Sequence, residues 1–270
     1  MSNLSAILGL DHVVIAVHDL NRSIADYRAL GFTVQPGGQH PGRTSHNALI
    51  VFDDGAYIEI IAWQAPAPEE RWWRLLQDHG EGLVDFALLP LETTAAIAAA
   101  RARGLADLIG PVDGGRVRPD GQVLQWRSAR QTRHDLPFLC GDVTPRHLRV
   151  PEGEMRSHPN GVRGFSTLQI AVLDLANSVD RYGALLGPVT TITSRHTEPD
   201  GDVVQAGFVL RSTAYTLAAP QAGSSANSPL RMHLTTRGEG LRHIRLVGPA
   251  GAPSRTLDST LTHGAAIDLA

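Results

Sequence analysis

The stretch GLDHVVIAV, residues 9–17, sets an imidazole, His12, near the start of an apolar strand, and YIEIIAW, residues 57–63, sets a carboxylate, Glu59, in the middle of another. A charged or polar group in such a strand is costly to bury unless it finds a partner. An imidazole can hydrogen-bond, move a proton near neutral pH or ligate a metal. A buried carboxylate can pair with an arginine or hold a cation. The first stretch recurs. GLVDFALLP begins at Gly82, GFSTLQIAV at Gly164 and GLRHIRLVG at Gly240. Each opens on Gly followed by Leu or Phe, and the fourth position is polar: His12, Asp85, Thr167 and His243. Starts roughly 75–80 residues apart suit a duplicated small module better than a solenoid.

Side chains alternate along a strand. His12, Val14 and Ala16 therefore share one face and Val13, Ile15 and Val17 the other; Tyr57, Glu59 and Ile61 share a face in the same way. The more uniformly apolar set is expected to pack on a helix, which leaves His12 on the opposite side. That helix is expected in HDLNRSIADYRALGF, with Asp19 as N-cap, Leu20, Ile24, Tyr27 and Leu30 at helical spacing and Gly31 after the last turn. Strands FTVQPG, HNALIVF and YIEIIAW follow, the last two joined at Asp54-Gly55, a hairpin signal. The first unit thus reads βαβββ.

The second unit adds the Ala-rich helix TTAAIAAARARG and strands near GQVLQWRS and LPFLC. The third copies the first: IAVLDLANSVDRYGALLG matches IAVHDLNRSIADYRALG, followed by strands DVVQAGFVL and AYTLAAP. The fourth passes from GLRHIRLVG almost directly to RTLDSTL and AAIDLA, so its helix is expected to be lost. DVTPRHLRVPEGEMRSHPNGV, rich in Pro, Gly and charge, is the expected main linker, with His158 bracing it; APQAGSSANSPLR reads as a flexible loop. The expected halves are residues 1–150 and 151–270.

Composition bounds the function. The 270 residues are 42% hydrophobic and 19% charged, enough for a core, and a net charge of −3 argues against a nucleic-acid partner. Cys140 stands alone, so no intrachain disulfide forms, and it is expected to pack as a small buried hydrophobe. MSNLSAILGL does not read as a signal peptide, and no apolar run approaches the ~18 residues that span a bilayer. A cytoplasmic protein with a small-molecule partner and no membrane contact is expected.

Repeated βαβββ units opening with LDHVVIAVHDLNRSIADYRALGF resemble the vicinal oxygen chelate superfamily, which includes glyoxalase I, extradiol dioxygenases and bleomycin-resistance proteins. GGQHPGRTSHNALIVFDDGAYIEIIAW and LPFLCGDVTPRHLRVPEGEMRSHPNGV resemble its glyoxalase-like domain branch. The resemblance implies an α+β fold with two curved-sheet cups, each from two βαβββ units, the last unit truncated. It implies a metal held by the first and fourth strands of each unit. On those positions stand His12, Glu59 and Asp85, while the fourth is Phe138, which cannot ligate. One imidazole and two carboxylates with a position left open suit Mn²⁺, Fe²⁺, Zn²⁺ or Mg²⁺, polarising a substrate oxygen. His46, beside Asn47 in TSHNALI, is a candidate base or fourth ligand, and Asn47, Tyr57, Trp63, Trp126 and Phe138 are candidate pocket walls.

The C-terminal positions Thr167, Thr216, His243 and Asp268 are poor in ligands, so that half is expected to serve for packing or a homodimer interface. A metal-dependent isomerase, lyase, hydrolase or oxygenase, a metal-free binding or resistance protein, and a ligand-free scaffold all stay open.

Overall fold

In a computed structural model, residues 7–187, 192–198 and 201–270 are described. The order is β1 (Ile7–Ala16), α1 (Leu20–Ala29), β2 (Gln35–Gln39), β3 (Ser45–Val51), β4 (Tyr57–Trp63), α2 (Arg71–His79), β5 (Gly82–Pro90), α3 (Thr93–Ala102), β6 (Ile109–Val117), β7 (Val123–Arg130) and β8 (Phe138–Asp142). A short α4 (Arg146–Arg149) and a 3₁₀ turn, Gly153–Arg156, follow. Then come β9 (Gly164–Ala171), α5 (Leu175–Leu186), β10 (Ile192–Glu198), β11 (Gly201–Leu210), β12 (Thr213–Pro220), α6 (Pro229–Thr236), β13 (Gly240–Val247), β14 (Arg255–Thr256) and β15 (Ile267–Leu269).

The first eight strands close into a barrel ordered β1-β4-β3-β2-β6-β7-β8-β5, its seam joined at Gln39 and Val117. The remaining seven form an open sheet, β10-β11-β12-β9-β13-β15-β14. This is the α+β architecture of repeated βαβββ units, with no helix between β13 and β14. Asp19 and Asp174 cap α1 and α5 by accepting from Arg22 N and Asn177 N, which accounts for the repeated Asp-Leu pair. No helix of the described residues is long and apolar enough to cross a membrane.

The recurring glycine has a backbone cause. Gly9, Gly82 and Gly240 sit at φ 153°, 139° and 141°, where a Cβ is strained, and Gly164 lies outside that region. Two residues on, each first strand carries an extra residue in its ladder. Leu10 pairs with Leu88 and His12 with Ala87, leaving Asp11 unpaired; Val84 is skipped in the same way. Ser166 and Arg242 are the extra residues in the β9–β13 pair. Such bulges re-aim side chains.

Val13, Ile15 and Val17 join a core shared with Tyr27, Phe165, Leu168 and Tyr215, so the helix-covered faces of both sheets merge in one apolar layer. Val14 and Ala16 instead meet Ile61, Ala87, Phe138 and Cys140 inside the barrel. His263 crosses between the halves, with Nδ1 2.8 Å from Glu81 and Nε2 3.1 Å from Asp26.

Two helices depart from the sequence reading. α2 was not expected, although Trp72, Leu75 and Leu76 have helical spacing and Gly80 follows. The loop read as flexible ends in α6, capped by Ser228 with Pro229 in the first turn. On α6, burial and then the charges of Arg242 and Arg237 push His233 down to about 4. Its folded pKa lies below its unfolded value, so the unfolded chain takes up the proton first, and stability held above pH ~6.5 is lost as pH falls toward 4. Between pH 7 and 4.5 the urea-unfolding free energy of the wild type should therefore drop about 1–2 kcal/mol more than that of His233→Gln. Parallel pH profiles would overturn this.

Candidate functional site

The barrel encloses a cavity of about 420 Å³ that reaches His12, Asn47, Tyr57, Glu59, Trp126 and Phe138 among its walls. Strand alternation places these groups. β1 pairs in parallel with β4, His12 opposite Tyr57 and Val14 opposite Glu59, so His12 and Glu59 lie on one face, a step apart on neighbouring strands. Their tips converge, with His12 Nε2 3.4 Å from Glu59 Oε2. Tyr57 stacks on the His12 ring at 4.7 Å and 16°, and Phe138 meets it edge-on at 5.3 Å.

The Asp11 bulge sets the orientation of His12. On an evenly alternating strand Asp11 would face away; here its Oδ2 lies 2.7 Å from His12 Nδ1. Asp11 is fully buried and also accepts from Arg146 Nη1 at 2.6 Å and from Arg149 Nη1 and Nη2, both at 2.9 Å. Burial alone would raise its pKa, but the charges of Arg149 and Arg146 outweigh it and hold the carboxyl well below the usual range. Arg149 Nε reaches Asp142 at 2.5 Å and its Nη1 donates to Tyr57 Oη at 2.7 Å. The linker thus supplies the brace beneath His12.

Glu59 has two further neighbours. Asn47 Nδ2 donates to Oε1 at 2.6 Å, and His40 Nε2 lies 3.7 Å from the same oxygen. His40 Nδ1 is tied to Ser45 Oγ at 3.0 Å, and its ring meets Trp126 edge-on. Burial opposes ionisation of Glu59, yet the hydrogen bond and charge of His12, then His40 and Asn47, hold it down to about 2. Burial likewise works against the His12 cation, but Asp11 and Glu59 outweigh it and raise its pKa. His40 is lowered, first by burial and then by Arg116 and Arg43, against the pull of Glu59.

The other residues singled out from sequence lie elsewhere. Asp85 does not join the cavity wall: its Oδ2 accepts from Trp72 Nε1 at 2.9 Å and lies 3.5 Å from Arg130 and 3.8 Å from Arg71, and its Oδ1 accepts from Phe86 N. Arg71 and Trp72 come from the unexpected α2, so the sequence reading had no partner to give Asp85. His46 alternates with the inward Ser45 and Asn47 on β3 and is absent from the cavity wall. Trp63 follows Ile61 on the inner face but turns its indole to Glu70 at 3.1 Å, outside the cavity. His158 braces the linker, accepting from Thr33 N and contacting Val51 O.

Sequence reasoning missed His40, Asp11, Arg116 and Arg149. Arg116 on β6 is buried at 4% exposure, donates weakly to Asn47 Oδ1 at 3.4 Å and to Arg149 O at 3.1 Å, and its Nε has no partner among the described residues. Glycines make room: a Cβ at Gly37 would overlap Asn47 Oδ1 and crowd Arg116, and one at Gly114 would overlap the Trp126 indole. Asp11, His12 and Cys140 offer ligand atoms within 4.8 Å of one another. Asp11 is already saturated by guanidinium and imidazole hydrogen bonds, and burial pushes the Cys140 thiol up, away from the thiolate a metal needs. On the other side of His12 stand Glu59 and, beyond it, His40.

A closed barrel of two βαβββ units, with first- and fourth-strand polar groups meeting in its cup, defines a member of the vicinal oxygen chelate superfamily. Within it the chain belongs to the glyoxalase-like domain family, which matches over residues 10–186. Among solved structures it is similar to a hypothetical protein from Staphylococcus aureus, with a TM-score of 0.68 and 11% identity over 97% of this chain and 98% of that one. It is also similar to a triple mutant of 4-hydroxymandelate synthase from Streptomyces coelicolor, with a TM-score of 0.64 and 13% identity over 90% and 71%. At these identities the likeness is one of fold. No curated protein sequence matches the chain.

Proposed function

We propose that the barrel cavity is the active site of a divalent-metal-dependent enzyme acting on a small oxygenated molecule, with His12, Glu59 and His40 as the metal-holding residues. The observation that carries this is the approach of two imidazole Nε2 atoms to the two oxygens of one buried carboxylate, each imidazole fixed through its Nδ1 by Asp11 or Ser45. A second hydrogen bond that fixes ring and tautomer is the usual support of a ligating histidine. Two nitrogens and one carboxylate suit Fe²⁺, Mn²⁺ or Zn²⁺ better than Mg²⁺, and of isomerase, lyase, hydrolase and oxygenase chemistry this set favours the last. A bound ion would supply Lewis acidity to a substrate oxygen.

The chain's own residues supply the rest. Arg116 lines the cavity, so its guanidinium is the cation that would take a carboxylate or enolate oxygen of the substrate in a charge-assisted bond. Trp126 and Phe138 give its carbon skeleton apolar walls. Tyr57 is held protonated by burial, and Arg149 donates to its oxygen, so its O–H is available to donate into the cavity.

One observation favours the alternative of a metal-free binding protein. The raised pKa of His12 and the lowered one of Glu59 describe an ion pair that satisfies both groups directly. Elemental analysis separates the readings. After incubation with Fe²⁺, Mn²⁺, Zn²⁺ or Mg²⁺ in turn and desalting, the protein should retain about one equivalent of one of them, and His12→Ala should retain none. If no metal stays with the wild type, the cup is a metal-free binding site.

A further inference from the structure

The second sheet has a concave face of its own, with a cavity of about 830 Å³ bounded by α6 and by Leu83 at the start of β5. Its register against the barrel shows what replaced the metal cup. β12 sets Ala214 opposite Thr167 and Thr216 opposite Gln169, as β4 sets Tyr57 opposite His12 and Glu59 opposite Val14. β13 sets His243 opposite Gln169 and Arg245 opposite Thr167, as β5 sets Asp85 opposite Val14 and Ala87 opposite His12. The imidazole–carboxylate pair His12 and Glu59 therefore corresponds to two hydroxyls, Thr167 and Thr216. The apolar Val14 and Ala87 correspond to Gln169 and Arg245. The bulge position that holds Val84 in β5 holds Arg242 in β13.

We propose that this second cup binds a small organic anion, its oxyanion group held by Arg242 and Arg245 with the hydroxyls of Thr167 and Thr216 beside them. Among the described residues the cavity wall contains three arginines and two histidines and no carboxylate. Arg242 Nη1 donates to the neutral Gln169 Oε1 at 2.8 Å, and among the described residues no acid compensates its positive charge there. Arg237 spends its Nη donors on the carbonyls of His79, Gly80 and Leu83, which neutralises nothing. Asp268 pairs with Arg245 across β13 and β15 and shares its face of the sheet. It is engaged by Thr256 at 2.7 Å, His243 at 3.1 Å and Arg245 at 3.6 Å, which leaves Arg242, of the proposed pair, as the cation without an acid among the described residues. His233 registers the resulting positive potential, since Arg242 and Arg237 add to burial in depressing its pKa. The volume falls in the range of about 300–1,000 Å³ usual for small-molecule sites. Planar guanidinium groups match carboxylate and phosphate alike, in one or two hydrogen bonds. The ligand is thus defined by its oxyanion, and this site is independent of the metal proposed for the barrel.

Calorimetric titration of the full chain at low salt with two probes, inorganic phosphate and succinate, tests it. At least one should bind with Kd of about 10⁻⁴ M or tighter, and added salt should weaken it. Binding of phosphate alone identifies a phosphorylated ligand, and binding of succinate alone a carboxylic acid. Arg242→Gln should weaken the bound probe at least about tenfold. Arg245→Gln, a change at a half-exposed side chain, should weaken it several-fold, and carries the test should Arg242→Gln melt early. Glu59→Gln, confined to the barrel cavity, should bind as the wild type does. The proposal is overturned if neither probe binds, if folded arginine variants bind as the wild type does, or if Glu59→Gln abolishes binding.

Discussion

Replacing Asp11 by Asn should lower the unfolding free energy by about 3–5 kcal/mol, the loss usual when one partner of a buried ion pair is removed. Asp11 is fully buried and Arg149 is 2% exposed, so the substitution strands the Arg149 guanidinium in the interior and loosens Arg146 and His12 with it. The remaining contacts of Arg149, to Asp142 and Tyr57, leave one carboxylate where there were two. Against a total stability of about 5–15 kcal/mol this is a large fraction. The paired variant Asp11→Asn with Arg149→Met should recover much of the loss, because it removes both charges rather than one. A denaturant titration in which Asp11→Asn costs less than about 1 kcal/mol would mean that the network is only a surface-like pairing.

The network also shows what the sequence could and could not reveal. Alternation along GLDHVVIAV was enough to set His12 apart from Val13, Ile15 and Val17, and along YIEIIAW to group Glu59 with Tyr57, because the period of a strand is fixed by its backbone. That the two groups share one cup was implied only by the resemblance, and the β1–β4 register supplies it. The same alternation fails one residue away. It sends Asp11 outward, and only the extra residue in the β1–β5 ladder brings its carboxylate to His12. His46 fails for the opposite reason, since it obeys the alternation that points Asn47 inward. His40 lies just beyond β2, in the hairpin before Ser45, where no periodicity applies and the ring is placed by its hydrogen bond to Ser45. Arg116 sits on β6, a strand rich in glycine and exposed positions that carries little apolar pattern. The fold was legible because it repeats; the site was legible only where it lies on regular strands.

The second large effect separates the two candidate third ligands, His40 and Asp85. His12→Ala, Glu59→Gln and His40→Ala should each lower metal affinity by more than about 100-fold, since changes to mere supporting partners already cost about 10–100-fold. Glu59→Gln keeps volume and removes charge, so its loss should appear in metal retention with the fold intact. Asp85→Asn should leave metal retention within about threefold of the wild type, well short of the loss of even a supporting partner, while lowering the melting temperature. Its carboxylate is spent on Trp72, Arg71 and Arg130, and Arg130 in turn lies 4.1 Å over the Phe138 ring, at the position where the resemblance would place a fourth ligand. In this chain that quarter of the cup is a cation–aromatic wall, and the further imidazole that approaches Glu59 is His40, on the β2–β3 side. The opposite pattern, with metal lost in Asp85→Asn and kept in His40→Ala, would return the ion to His12, Glu59 and Asp85 and would require α2 to release Asp85 when the metal binds.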